Sequence, residues 1–149
     1  MDLLKTLALF KKYKIPISEM IIAKNKTEAV SAAKKLGYPV ALKILSKEIL
    51  HKSDIGGVKL KLQTGKDVEI AYDSIMQAVK GKSIQGVIVQ KMAGKGLELI
   101  IGGKMDAQFG PLILFGLGGI YVEILRDVSV RICPITDNDA QEMISEIKG

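Results

Sequence analysis

The order of the periodic segments constrains this chain more than any single motif does. Between residues 87 and 133 the pattern reads as strands joined by short connections, and only one helix follows, at the end. A doubly wound parallel sheet needs a long crossover, usually a helix, between successive strands. The observed order therefore predicts an α+β fold built as two α/β lobes with mainly antiparallel sheets. The expected strands in this half are residues 87–91, 97–102, 110–115, 120–125 and 130–133. A final helix starts at Thr136, with Asp139 at the capping-box position, and would bury Ala140, Met143, Ile144 and Ile147.

The first half mixes helices and strands. Residues 1–14 read as an amphipathic helix with Leu3, Leu7 and Phe10 on one stripe, ended by Pro16, which lacks a backbone donor. A short strand at 20–23 precedes a helix that starts at Asn25, where Glu28 can close a capping-box-like pair, and stops at Gly37. Residues 39–45 form a near-continuous apolar run broken only by Lys43, the pattern of a buried strand carrying one lysine. Val58, Leu60 and Leu62 alternate with Lys59 and Lys61, which predicts a strand with one apolar side. Val68, Ala71, Ile75 and Val79 then mark one stripe of a helix over about 67–79. The lobes are expected at residues 1–88, leading helix included, and 89–149.

Composition narrows the function. The net charge of +6 suits a polyanionic ligand such as a nucleotide, CoA, nucleic acid or an acidic membrane. The lysines are dispersed and aromatic residues make up only 5% of the chain, which argues against a single-strand nucleic-acid groove. No DNA- or RNA-reading motif is present. The apolar runs are broken well before a membrane-spanning length, so the expectation is a cytoplasmic protein with no membrane and no nucleic-acid partner. The single cysteine, Cys133, excludes an intramolecular disulfide and a cysteine-based metal cluster, and reads as a buried filler in an apolar stretch.

Four groups of residues carry candidate chemistry. Lys43 sits inside an apolar strand, where it either snorkels to the strand end or meets a nucleotide phosphate. His51, the only histidine, opens a polar loop. It is either a surface residue or a phosphoryl carrier, since imidazole is neutral and nucleophilic near pH 7. Metal binding is disfavoured because no second histidine or cysteine lies nearby. Gly56 and Gly57 end that loop, as a plain bulge or as a phosphate cradle, and the spacing to a Walker lysine is missing. Gln90, Lys91 and Met92 end a strand, with Glu98 beyond a Gly-Lys-Gly turn. They are either solvent-facing positions or contacts to an adenine edge and a ribose. Gly116-Leu117-Gly118-Gly119 is not a dinucleotide fingerprint, because β-prone Ile120-Tyr121-Val122 follows where a helix is required. It can pack closely over a flat ligand or another loop.

Taken together, two strings resemble one family. Residues 39–43 followed by His51-Lys52-Ser53-Asp54-Ile55-Gly56-Gly57, and later Phe109-Gly110-Pro111 through Phe115-Gly116-Leu117-Gly118-Gly119, resemble the ATP-grasp (beta) subunit or domain of ADP-forming acyl-CoA (acetyl-CoA) synthetases. The resemblance implies ATP or ADP as the nucleotide, and His51 as the last phosphohistidine before ADP. It also implies Lys43 at the phosphates, the Gly56-Gly57 loop over them, Gln90, Lys91 and Met92 against adenine, and Glu98 toward the ribose. The partner would be the CoA-binding (alpha) subunit, with oligomer formation also open, and the chain would be a part of an acid–CoA ligase that is not active alone. The family continues past the final helix with an Arg-Gly segment and then a strand carrying an acidic-Asn-Pro motif, whose acidic and amide oxygens hold magnesium. This chain ends at Gly149 without those motifs, so the second lobe is expected to be incomplete and no metal ligand is assigned. The other expectation is a non-catalytic ATP-grasp remnant that binds nucleotide or a partner.

Overall fold

The computed structural model describes residues 3–46, 48–49, 52–119 and 127–148. The chain divides into two compact units, Met1–Gly94 and Lys95–Gly149. The fold is α+β, and every strand pair described in it is antiparallel.

The first unit contains α1 (Leu3–Lys12), β1 (Met20–Ala23), α2 (Lys26–Leu36), β2 (Val40–Leu45), β3 (Val58–Leu62), α3 (Gly65–Ala78) and β4 (Gly86–Lys91). Its four strands lie in the order β1-β4-β2-β3. Register fixes the two faces of this sheet, because directly opposed residues of an antiparallel pair share a face. Val40, Leu42 and Ile44 oppose Lys91, Val89 and Val87. This face packs on Ala29, Ala32 and Ala33 of α2 and Val68, Ala71 and Ile75 of α3, which form the core. Ala41 and Lys43 oppose Gln90 and Ile88 on the other face.

Local sequence sets the helix ends. The Asn25 side chain accepts the Glu28 N–H, and the Glu28 carboxylate accepts the Lys24 N–H, so two donors at the start of α2 are satisfied. Gly37 ends α2 at φ +76°, a region that favours glycine. Helix α3 starts two residues earlier than the apolar stripe suggests. Thr64 caps it by accepting the Asp67 N–H, and Asp67 accepts the Thr64 N–H in return. The Asp67 carboxyl is held below its ordinary range, first by the N–H of Gln63 and then by Thr64.

Strand β3 departs from strict alternation. Val40 opposes Leu62 while Leu42 opposes Lys59, so β3 carries one extra residue against β2. Lys61 sits at φ +59° and its N–H donates to Met92 Sδ at 3.1 Å. A bulge of this kind interrupts the period-2 pattern, and Leu60 is 56% exposed. The expected lobe boundary between residues 88 and 89 falls inside β4. That strand is hydrogen-bonded to both β1 and β2, and the division between the compact units falls after Gly94.

The second unit contains β5 (Leu99–Asp106), β6 (Gly110–Leu117), β7 (Val128–Ile132) and, as α4, the helix Asp137–Ser145. The strand order is β5-β6-β7. Strand β5 runs to Asp106, beyond the expected end, because the carboxylate of Asp106 accepts the N–H groups of Gln108 and Phe109 and so closes a tight turn into β6. The expected strand at 120–125 lies outside the described residues. Helix α4 has the Thr136–Asp139 capping box. It is fixed to β7 by Glu146, which accepts from the Ser129 hydroxyl and the Arg131 guanidinium. Met143 is buried, whereas Ile144 is 59% exposed, so the apolar side of α4 is narrower than its sequence suggests. Cys133 is half-buried. Among the described residues no helix is long and apolar enough to cross a membrane.

Candidate functional site

Lys43 is half-buried on the face of the first sheet away from α2 and α3. Its ammonium donates to Gln90 Oε1 at 2.8 Å. The pairing is a product of register: Lys43 opposes Ile88, and Gln90 lies two residues further along β4 on the same face. Lys43 is thus an ammonium held by a neutral acceptor.

Lys91 follows Gln90, and the pleat turns its side chain to the opposite face. Its ammonium donates to the carbonyls of Gly37 at 2.8 Å and Tyr38 at 2.9 Å, at the carboxyl end of α2, where the helix dipole favours a cation. The same segment is tied down along its backbone. The Lys91 N–H donates to Glu19 O and the Met92 N–H to Pro39 O. The candidate trio thus splits: the Gln90 side chain joins Lys43, and the Lys91 side chain braces the turn after α2.

The glycine pair has a packing role. The Gly56 and Gly57 N–H groups donate to the carbonyls of Ser53 and Lys52. Gly56 has φ +72°. A Cβ on Gly57 would lie 2.8 Å from Ile44 Cγ2 and 2.9 Å from the Lys52 carbonyl oxygen. In this conformation both amides are used inside the 52–57 turn. His51 lies outside the described residues. Of the described residues nearest to it in sequence, Ile49 is buried in the core and Lys52 is half-buried.

Glu98 belongs to the second unit, where its carbonyl accepts the Gly118 N–H at 2.6 Å. A Cβ on Gly118 would lie 3.0 Å from the Glu98 carbonyl carbon, and one on Gly119 would lie 2.7 Å from Glu98 Oε2. The glycine loop therefore packs over the 98–99 backbone. Among the described residues, no group of three or more His, Cys, Asp or Glu is placed to hold a metal ion. An open apolar concavity lined by Leu7, Ala8, Lys11, Lys14, Ile15 and Ile17 contains none of the candidate residues.

The Lys43–Gln90 pair and the Lys91 brace were not legible in sequence. The partners lie 47 and 54 residues apart, and only the β2–β4 register joins them.

A family model described as an ATP-grasp domain matches residues 2–149. The chain is 47% identical over 145 residues to the acetate–CoA ligase (ADP-forming) I subunit beta of Pyrococcus furiosus, covering 95% of this chain and 62% of that subunit. It is similar to a structure of the dinucleotide-forming acetyl-coenzyme A synthetase 1 of Ca. Korarchaeum cryptofilum in complex with coenzyme A and Ca-AMPCP. The TM-score is 0.89 at 44% identity, covering 95% of this chain and 64% of that one. A second structure of that synthetase, with coenzyme A and Mg-AMPPCP, has its phosphohistidine segment pointing towards the nucleotide binding site. Its TM-score is 0.78 at 42% identity, covering 95% of this chain and 61% of that one. The chain thus spans less than two thirds of the length of each of these relatives.

Proposed function

The chain belongs to the ATP-grasp domain family, and from that premise we propose that it is the nucleotide-binding part of an ADP-forming acetate or acyl-CoA ligase, passing a phosphoryl group between a phosphohistidine and ADP or ATP. The observation that carries the reading is Lys43, an ammonium held by a neutral side chain on the face of the first sheet away from α2 and α3. Lys43 offsets the charge of the nucleotide phosphates, and the 90–92 segment lies against the base. The glycine-ended turn carries His51 to the phosphates. Contact through the Gly56 and Gly57 amides requires that turn to open, since both are bonded within it.

In the ATP-forming direction an oxygen of the ADP β-phosphate takes the phosphoryl group from His51. The N–P bond breaks, its electron pair stays on the imidazole, and an O–P bond forms. Such a transfer needs positioning and charge neutralisation more than covalent chemistry. Magnesium, when bound, neutralises phosphate charge. Among the described residues no group of three or more His, Cys, Asp or Glu is placed to hold it. The acyl phosphate and CoA chemistry belongs to a CoA-binding (alpha) subunit. With that subunit supplied, His51→Ala is expected to abolish ATP formation from acyl-CoA, ADP and phosphate. Full activity in the variant would place the carrier elsewhere.

A second reading is a non-catalytic ATP-grasp remnant that binds nucleotide or a partner. It is favoured by the apolar side chains on the sheet of the second unit. Ile101 and Met105 of β5 are each 73% exposed, and Val128, Val130 and Ile132 of β7 are exposed on the opposite face. Apolar patches of this kind mark partner surfaces. In this reading nucleotide raises thermal stability weakly or not at all, and a partner chain raises it more.

A further inference from the structure

Gln90 is the residue whose position says most about how the site is built. Its side chain lies at hydrogen-bonding distance from Lys43, 2.8 Å from Oε1 to Nζ, and both groups are part-buried. An ammonium has no acceptor, so only the amide oxygen of Gln90 can face it, and the orientation of the amide is fixed by chemistry. A lysine stem is otherwise rotamer-rich, and ordering it costs free energy. A charge-assisted bond to a neutral acceptor offsets that cost and leaves the full positive charge in place. A carboxylate at the same point would hold the lysine equally well and cancel its charge. Lys91, the neighbouring cation, is on the opposite face and bonded to two carbonyls, so it cannot substitute.

We infer that Gln90 is a positioning residue for Lys43: its amide oxygen holds the ammonium on the face of the first sheet away from α2 and α3, aimed for a nucleotide phosphate, and the side chain does not read the adenine edge. This rests on the nucleotide reading above. It predicts a division between phosphate-bearing and phosphate-free ligands that an adenine contact does not produce.

The test uses the full chain, Gln90→Leu and Gln90→Glu, with two readouts. In titration calorimetry, Gln90→Leu is expected to weaken ADP about tenfold, the scale of one lost hydrogen bond to a charged group, and to leave adenosine unchanged. Gln90→Glu also weakens ADP and not adenosine, because the charge is cancelled. In a Lys43→Ala background Gln90→Leu has no further effect. Equal weakening of ADP and adenosine, or unchanged ADP affinity, overturns the inference. In ligand-free protein, lysine-selective NMR is expected to show a Lys43 ammonium protected from solvent exchange, kept in Gln90→Glu and lost in Gln90→Leu. The same signal in all three overturns the inference. If the unmodified chain binds neither ligand, the nucleotide reading fails, and the NMR comparison alone decides whether Gln90 holds Lys43.

Discussion

At Gly57 an added methyl group would meet both a core side chain, Ile44, and the Lys52 carbonyl oxygen inside 3.0 Å. Ile44 is fully buried and the carbonyl already accepts the Gly57 N–H, so neither gives way easily. Gly57→Ala is expected to destabilise the chain by about 1–3 kcal/mol, the usual scale for overpacking, read as a lower denaturation midpoint at unchanged slope. Gly81, with nothing within 4 Å of its Cβ position but φ +81°, is the control in which only backbone conformation is strained. The glycine pair was legible as unusual in the sequence because two glycines end a polar loop before an alternating strand. Whether they cradle an anion or admit a neighbour is decided by tertiary contacts, and Ile44 is a neighbour that no local pattern names. Lys43 was legible for the same kind of reason, a charge inside an apolar run. Its acceptor was not, because that depends on which residue of β4 lies beside β2.

At the level of elements, helix starts were largely written in the chain. Asn25 and Thr136 act as caps where their sequence context predicts them. The start of α3 was placed too late because its apolar stripe begins at Val68, while the Thr64–Asp67 box sets the true start. Thr64→Ala is expected to cost about 1 kcal/mol, measured by chemical denaturation. The caps also give a pH dependence. Hydrogen bonds from Gln63 and Thr64 hold the Asp67 carboxyl low, and Thr136 does so for Asp139. Arg131 and then Ser129 hold Glu146 low. A carboxyl whose folded-state pKa is depressed binds fewer protons in the native state than in the unfolded state. Its stabilisation is therefore present above the ordinary carboxylate range and is lost as pH falls through the folded-state value. Thermal stability is expected to drop below about pH 4, and Asp67→Asn should flatten that drop. An acid limb unchanged by Asp67→Asn would show that the caps do not contribute to it. Alternation was the least reliable guide: the bulge at Lys61 exposes Leu60, and residue spacing alone does not reveal an inserted residue.

For the whole molecule, the sequence order of segments carried the α+β class and the antiparallel pairing, since short connections leave few other topologies. The extent of the two units was less legible. Strand β4 looks like the start of the strand-rich half, yet it fills the centre of the first sheet between β1 and β2. The proposed function requires a nucleotide site in this chain, with Lys43 at the phosphates. The most direct measurement is thermal stability of the purified chain titrated with ADP and ATP, with and without magnesium. A saturable rise with nucleotide is expected, corresponding to roughly 2.7 kcal/mol at a hundredfold excess over Kd, together with its loss in Lys43→Ala. A flat response in the unmodified chain across that range would contradict it.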